Sequence, residues 1–219
     1  MHGVSRIPWQ HVRVKLLLAV LACGAVVLAA TNALFLRTAL ASQREQLRHT
    51  LMAIASTGAL TIDAENYQQI PPRPESVQLP AYRALMTQLR AIRRANPDIR
   101  YVYTLRPSTV AGESLFLGDT DEQGPALPGR HYNVARFPAI TEALTGPTAD
   151  PNLVTDEWGT TLSGYAPIRN TQGQPIAVLG VDMSAVLVRQ TEALIRIWFV
   201  VALVGGLFAA LLLSSLVAA

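Results

Sequence analysis

The chain has 219 residues, of which 50% are hydrophobic and 15% are charged, and its formal net charge is +3. Of its 18 basic residues, Arg6, Arg13 and Lys15 come first, and the other 15 balance the 15 acidic residues that follow. The bulk of the chain is therefore neutral, which excludes nucleic acid as a partner held by general electrostatic attraction. The single cysteine, Cys23, excludes an intrachain disulfide, so a folded domain must rely on its apolar core.

Two apolar runs, residues 16–36 and 197–219, contain no Asp, Glu, Lys or Arg. About 20 apolar residues in an α-helix span the roughly 30 Å hydrocarbon core of a bilayer. A helix satisfies all its own backbone hydrogen bonds, which lipid cannot do. The sequence therefore predicts two transmembrane helices in contact with the lipid bilayer.

Charge placement predicts the orientation of these helices. Positive flanks stay in the cytoplasm, so residues 1–15 are expected there as a tail, and residues 37–196 are expected outside. A cleaved signal peptide is an alternative, but its apolar core is normally about 7–15 residues long. Lipid attachment at Cys23 is another alternative, since residues 20–23 loosely resemble a lipoprotein signal, but the run stays apolar after the cysteine.

The segment from residue 37 to about residue 62 is predicted to be a helix that leaves the membrane without a break. Leu40, Leu47 and Ile54 repeat every seven residues, with Leu51 beside them. Such a narrow apolar stripe is typical of a seam between two helices. It either pairs two copies, which predicts a homodimer, or packs on its own domain.

A second helix is predicted at about residues 80–95, after the helix-breaking Pro71, Pro72 and Pro74. Its apolar positions, three or four residues apart, are Leu79, Tyr82, Leu85, Leu89 and Ile92. Its opposite face carries Arg83, Arg90, Arg93 and Arg94. This basic face is either solvated or in contact with an anionic ligand or headgroup.

From residue 99 the apolar pattern alternates, which predicts a strand over residues 99–106. One face of this strand is expected to carry Ile99, Tyr101, Tyr103 and Leu105. The other face is expected to carry Arg100, Val102, Thr104 and Arg106.

The rest of the domain is predicted to be rich in strands. A strand at residues 114–118 precedes an irregular stretch at 119–133 and a short helix near 138–144. A hairpin follows, with strands at residues 161–168 and 175–183 and a turn between them. Helices followed by an antiparallel sheet predict an α+β domain.

Three stretches carry a resemblance to a known family: NPDIRYVYTL at residues 96–105, WGTTLSGYAPI at 158–168 and AVLGVDM at 177–183. They resemble the extracytoplasmic PAS-like or Cache sensor domains of bacterial transmembrane receptors. The resemblance covers nearly all of residues 37–196. It implies a single-module α+β domain with a long N-terminal helix and an antiparallel sheet of about five strands.

The resemblance also implies how such a protein works. It implies a location in the bacterial inner membrane, a small-molecule ligand in the periplasm, and a cytoplasmic output domain or partner. Members of the family precede histidine kinase, diguanylate cyclase, nucleotide cyclase or chemotaxis modules.

In this family the ligand lies against one face of the sheet, under loops and short helices. That placement implies a pocket formed by Tyr101, Tyr103, Phe116, Asp119, Trp158, Tyr165 and Asp182. Aromatic rings there would give contact area and polar groups would fix the ligand's orientation. The tyrosines are otherwise ordinary core residues.

Asp182 is the sharpest of these candidates, because a carboxylate in an apolar strand needs a partner. Its alternative role is an N-cap for the helix over residues 184–196. Related receptors that bind amino acids carry an arginine shortly before the tryptophan. Here Asp156 and Glu157 precede Trp158, so the resemblance gives no support for a clamp on an amino-acid carboxylate.

Other chemistry has little support in the sequence. Residues 119–124 include three carboxylates, which suit calcium, but the closing glutamate of an EF-hand loop is absent and a solvated loop is favoured. The histidines lack the spacing of metal ligands, and no nucleophile, phosphate-binding or kinase motif is present. We therefore expect no catalytic residue, no metal site and no cofactor.

The sequence thus favours a ligand-sensing module that passes a helix shift through residues 184–196 into the second span. The chain ends inside an apolar run, and one alternative is that it is the input half of a membrane-bound kinase or cyclase. A stand-alone two-span regulator is a further alternative.

Overall fold

The computed structural model describes the backbone of residues 9–218 and the side chains of residues 12–215. Arg6 and the start of the predicted cytoplasmic tail lie outside the described residues. In chain order the elements are α1 (Trp9–Thr61), α2 (Ala64–Gln68), a 3₁₀ helix (Pro74–Gln78), α3 (Pro80–Ala95), β1 (Ile99–Pro107), β2 (Glu113–Asp119), β3 (His131–Asn133), α4 (Pro138–Glu142), β4 (Thr148–Ala149), β5 (Val154–Asp156), β6 (Gly159–Arg169), β7 (Pro175–Ser184) and α5 (Ala185–Ala218).

The chain divides into two compact units. The central unit is Arg44–Arg189, and the helical unit comprises the residues up to Gln43 together with those from Gln190 onward. In the helical unit, the side-chain amide of Asn32 donates to the carbonyl oxygen of Phe199 at 3.1 Å. The helices over Val12–Thr61 and Ala185–Ser215 are long and apolar enough to cross a membrane.

An antiparallel sheet forms the centre of the central unit, with strand order β3-β2-β1-β7-β6-β4 and β5 also paired with β6. The four long strands are the predicted ones, which confirms the expected α+β architecture. The sheet has seven strands rather than about five, because β3, β4 and β5 contain only two or three residues each. Strands this short show no alternation that a sequence pattern can reveal.

Helices α1 and α3 contribute to an apolar core on one face of the sheet. Leu51 of α1 is fully buried there, and Leu47 and Ile54 pack against the same core. These positions of the seven-residue repeat therefore pack on their own domain, and pairing of two copies stays a prediction. The residues of α3 that enter this core are Leu85, Met86, Leu89 and Ile92.

The expected alternation along β1 is wrong at its first residue. Ile99 shares the helix-covered core with Val102, whereas Tyr103 belongs to a second apolar cluster. The pairing of β1 with β7 is irregular between Ile99 and Tyr101. An irregularity of this kind offsets the strand by one residue and so turns Ile99 to the other face.

The crossing of α1 over β6 depends on a glycine. A side chain at Gly164 would place its Cβ 2.6 Å from the carbonyl carbon of Leu51 and 2.8 Å from its carbonyl oxygen. The helix backbone occupies the space that any Cβ would need. Glycine at this position therefore allows α1 to pack closely on the sheet.

We expect Gly164→Ala to lower the free energy of unfolding by about 1–3 kcal/mol, because the helix must move away from the sheet. The matched control is Gly146→Ala, whose Cβ would have no heavy atom within 4 Å. Denaturant unfolding of the full chain in detergent micelles, followed by circular dichroism, measures both. Equal stability of the two variants would contradict the close approach.

Candidate functional site

The second apolar cluster lies on the face of the sheet opposite α1 and α3, because side chains alternate between faces along each strand. A cavity of about 20 Å³ lies at this cluster, which is roughly the space of one water molecule. The residues that line the cavity are Tyr101, Tyr103, Phe116, Asp119, Tyr132, Asp156, Trp158 and Asp182.

Six of the seven predicted site residues line this cavity, and Tyr165 does not. They come from distant parts of the sequence, and the sheet brings them together. Tyr101 pairs with Asp182 across β1 and β7, and Tyr103 pairs with Asp119 across β1 and β2. That these residues contact a ligand stays a prediction.

A glycine on β7 lets the ring of Tyr103 reach Asp182. A Cβ at Gly180 would lie 2.5 Å from that ring, so any side chain there would displace it. The Tyr103 hydroxyl donates to Oδ1 of Asp182 at 3.1 Å. The missing side chain and the hydrogen bond together fix the position of the carboxylate at the cavity.

Asp182 is 8% exposed, and burial raises its pKa to about 8. Hydrogen bonds from the hydroxyls of Ser163 and Tyr103 oppose this shift of the pKa. The alternative role of Asp182 as the helix N-cap is wrong. Ser184 takes that role, since its hydroxyl oxygen accepts from the backbone N–H of Val186 in the first turn of α5.

Asp119 is the second carboxylate at the cavity. Its two oxygens accept from the backbone N–H groups of Asp121 at 3.0 Å and Ala126 at 2.8 Å. Burial raises the pKa of this carboxyl group, so the expectation of a fully solvated loop is wrong for Asp119. Glu122 pairs with Arg93 at 2.9 Å.

Among the described residues no group of three or more His, Cys, Asp or Glu is placed to hold a metal ion.

Tyr132 and Asp156 line the cavity although the sequence did not predict them. The Tyr132 hydroxyl donates to one carboxylate oxygen of Asp156 at 2.9 Å, and the backbone N–H of Trp158 donates to the other at 2.9 Å. Aspartate side chains commonly accept from the backbone N–H two residues later and so mark a local turn, and this signal could have identified Asp156. Tyr132 lies on the three-residue β3, which gives no such sign.

The aromatic walls of the cavity pack on one another around Phe116. The ring centroid of Phe116 lies 5.7 Å from Tyr103, 5.5 Å from Tyr132 and 5.2 Å from Trp158. Tilted contacts at such distances are favourable beyond the area they bury. They hold the rings in defined positions around the carboxylates.

Tyr165, which was predicted to line the pocket, lies outside the cavity and hydrogen-bonds to an aspartate. Its hydroxyl donates to Oδ2 of Asp150 at 3.1 Å. Asp150 is buried, which raises its pKa to about 6. Arg48 of α1 donates to the carbonyl oxygens of Asp150 at 3.0 Å and Ala149 at 3.2 Å. A polar contact therefore joins the first helix to this side of the sheet.

No protein-family model and no curated protein matches the sequence. Solved structures do match it. The ligand-binding domain of the Campylobacter jejuni chemoreceptor Tlp3, in complex with L-valine, is 19% identical with a TM-score of 0.53, over 77% of this chain and 64% of that chain. The sensory domain of Tlp3 with isoleucine bound is 18% identical with a TM-score of 0.53, over 77% and 63% of the two chains.

The sensory domain of Tlp3 in a further structure is 17% identical with a TM-score of 0.50, over 75% of this chain and 63% of that chain. The chain thus spans less than two thirds of the length of these domains. The protein has the α+β fold of a bacterial receptor sensor domain. This result confirms the fold that the resemblance to PAS-like or Cache domains implied.

The raised pKa of Asp182 predicts that stability falls with rising pH. Its folded-state pKa of about 8 exceeds the unfolded value of about 4, so the folded state holds a proton that unfolding releases. The free energy of unfolding should then fall between about pH 4 and about pH 8, by up to about 1.4 kcal/mol per pH unit. Asp150, with a pKa of about 6, adds to the fall in the lower part of this window.

We expect Asp182→Asn to remove the dependence between about pH 6 and about pH 8, because it removes the proton that is released there. Denaturant unfolding of the full chain in detergent micelles across this pH range measures the change. Asp121→Asn is the control, since Asp121 does not line the cavity, and it should keep the wild-type slope. An unchanged slope in Asp182→Asn would refute the assignment.

Proposed function

We propose that this chain is the ligand-sensing input module of a bacterial transmembrane receptor. Residues 37–196 form the extracytoplasmic domain, residues 16–36 and 197–219 cross the inner membrane, and residues 1–15 lie in the cytoplasm. The observation that carries this proposal is the cavity, which brings aromatic rings and carboxylates together in a chemoreceptor sensor fold. The two apolar helices support a membrane location.

The proposed ligand is a small molecule that contacts the cavity residues. Four lining residues are only partly buried, so the cavity is most accessible on their side: Tyr101, Tyr132, Asp156 and Trp158. The present volume of about 20 Å³ is too small for an organic ligand, so binding requires a displacement of the surrounding segments. Tlp3 domains of this fold were solved with L-valine and with isoleucine, which supports a ligand of comparable size.

A rearrangement at the cavity has a short route to α5. Asp182 lies on β7 three residues before α5 begins at Ala185. Ser184 caps the helix, and Val188 anchors its first turns in the apolar core. No flexible loop lies between the site and the helix. Ligand binding transmits a signal only if two conformations of the domain bind the ligand with different affinity. We propose that the position of α5 differs between these two conformations. The displacement of α5 would then reach a cytoplasmic output domain or partner.

We expect at least one class of small molecule to raise the melting temperature of the full chain in detergent micelles. The panel comprises L-valine, isoleucine, organic acids, amines and divalent ions. Stabilisation should grow with concentration and reach about 2.7 kcal/mol at a hundredfold excess over Kd. It should be lost in Trp158→Ala, which removes a wall of the cavity, and kept in Asp121→Asn. A shift that survives in Trp158→Ala would argue against this cavity.

We expect flexibility in α5 to uncouple binding from output. Arg189 and Gln190 are exposed, whereas Val188 is buried and must be kept. The double variant Arg189→Gly and Gln190→Gly weakens the helix by about 1 kcal/mol per residue relative to alanine. Residues 1–219 are fused to a histidine-kinase module with a reporter gene, and the stabilising compound from the panel is the stimulus.

The glycine variant should lose most of the reporter response while its melting temperature still rises with the compound. The control variant, with alanine at both positions, should keep both properties because alanine maintains the helix. A full response in the glycine variant would exclude α5 as the transmitting element.

A further inference from the structure

Two buried carboxylates lie on the two sides of one β6 residue, Ser163, beside the cavity. Asp150 and Asp182 are 3% and 8% exposed. Ser163 pairs directly with Asp182 across β6 and β7, and its carbonyl oxygen accepts from the backbone N–H of Asp150 at 2.9 Å. The hydroxyl of Ser163 lies 3.2 Å from that of Thr161.

Few cations lie near the pair. Two arginines lie over walls of the cavity, Arg130 at 4.7 Å from the ring centroid of Trp158 and Arg100 at 4.7 Å from that of Tyr101. The titratable groups that face Asp182 are Tyr101 and Tyr103 of β1, Asp119 of β2, Tyr132 of β3, Asp156 of β5, Tyr165 of β6 and Asp150. Those that face Asp150 are Arg48 of α1, Tyr103, Tyr132, Tyr165 and Asp182.

The tyrosines in this set stay neutral, because burial raises the pKa of each one above its usual value. Among the described residues no Lys, Arg or His side chain forms an ion pair with Asp150 or Asp182. Arg48 is the cation whose charge acts on Asp150, and its hydrogen bonds go to backbone carbonyls. Ionisation of both carboxylates therefore places two like charges in a site without a paired counter-ion, which is costly.

We propose that Asp150 and Asp182 form a proton-responsive pair, and that release of the pair's last proton to solvent is a second input to the domain. This inference rests on the proposed sensor function and adds external pH to the ligand as a stimulus. The raised pKa values of the two groups, about 6 for Asp150 and about 8 for Asp182, support the order in which the protons leave. Between these values the pair holds one proton, and above them it holds none.

Arg48 links the pair to α1. Its guanidinium holds the backbone at Ala149 and Asp150, and the Asp150 carboxylate is held in turn by Tyr165. When the last proton leaves, the negative charge of the pair doubles and its attraction for Arg48 increases. Arg48 is a positioning residue in this scheme, because it carries the change in charge to the helix.

A fluorescence titration of the full chain in detergent micelles tests the pair. The background is Trp9→Phe with Trp198→Phe, so that Trp158 at the cavity is the reporter. We expect a midpoint near pH 8 that disappears in Asp182→Asn. Asp150→Asn should lower the midpoint by about one pH unit or more, because a like charge is removed. Asp121→Asn should leave it unchanged.

Ser163→Ala provides a second test in case Asp150→Asn does not fold. Loss of the hydroxyl removes a donor to the ionised carboxylate, so the midpoint should rise. Circular dichroism shows which variants are folded. A midpoint that is the same in wild type, Asp150→Asn and Ser163→Ala would overturn the proposal of a coupled pair.

The reporter fusion tests whether the pair is an input. We expect output to change with external pH around the same midpoint. Arg48→Gln should raise the fluorescence midpoint, because it removes the cation that favours the ionised pair, and it should lose the pH response of the output. A response to a compound from the panel, with none to pH, would overturn this inference and leave the proposed function standing. No response to any compound or to pH would overturn both.

Discussion

A carboxylate buried in the central strand of the sheet is the constraint around which the polar face of the domain is arranged. An ionised carboxylate in an apolar interior costs several kcal/mol unless neighbouring groups satisfy it. The strands on both sides of β7 supply these groups, Tyr103 from β1 and Ser163 from β6. Gly180 leaves room for the tyrosine ring. The polar contacts of Asp182 and the alternation of apolar side chains therefore favour the same register of β1, β7 and β6.

The two faces of the sheet have different physical properties, and each suits a different task. The face covered by α1 and α3 is apolar and closely packed, with Leu51 against Gly164. The opposite face is covered by α4 and loops and holds the carboxylates and aromatic rings. The closely packed face thus supports the face that carries the polar residues, which is the usual placement of binding residues on a scaffold.

Regular elements were predictable from the sequence because periodicity records which side of an element is buried. The bounds of α3 agree with the apolar spacing of Leu85, Leu89 and Ile92, and the β6–β7 hairpin agrees with its alternation. The candidate site was partly predictable, since Tyr101, Tyr103 and Asp182 lie on long strands. Ile99 was misplaced because an irregular pairing leaves no mark in the residue types.

By itself the sequence determined the two apolar helices, the long strands and the resemblance to a sensor family, because these depend on local composition and spacing. Only the tertiary structure decided which polar groups meet. Hydrogen bonds join Tyr132 to Asp156, 24 residues apart, and Tyr165 to Asp150. Ser184, rather than Asp182, caps α5. Such pairings depend on strand register and loop paths, which follow from the packing of the whole domain.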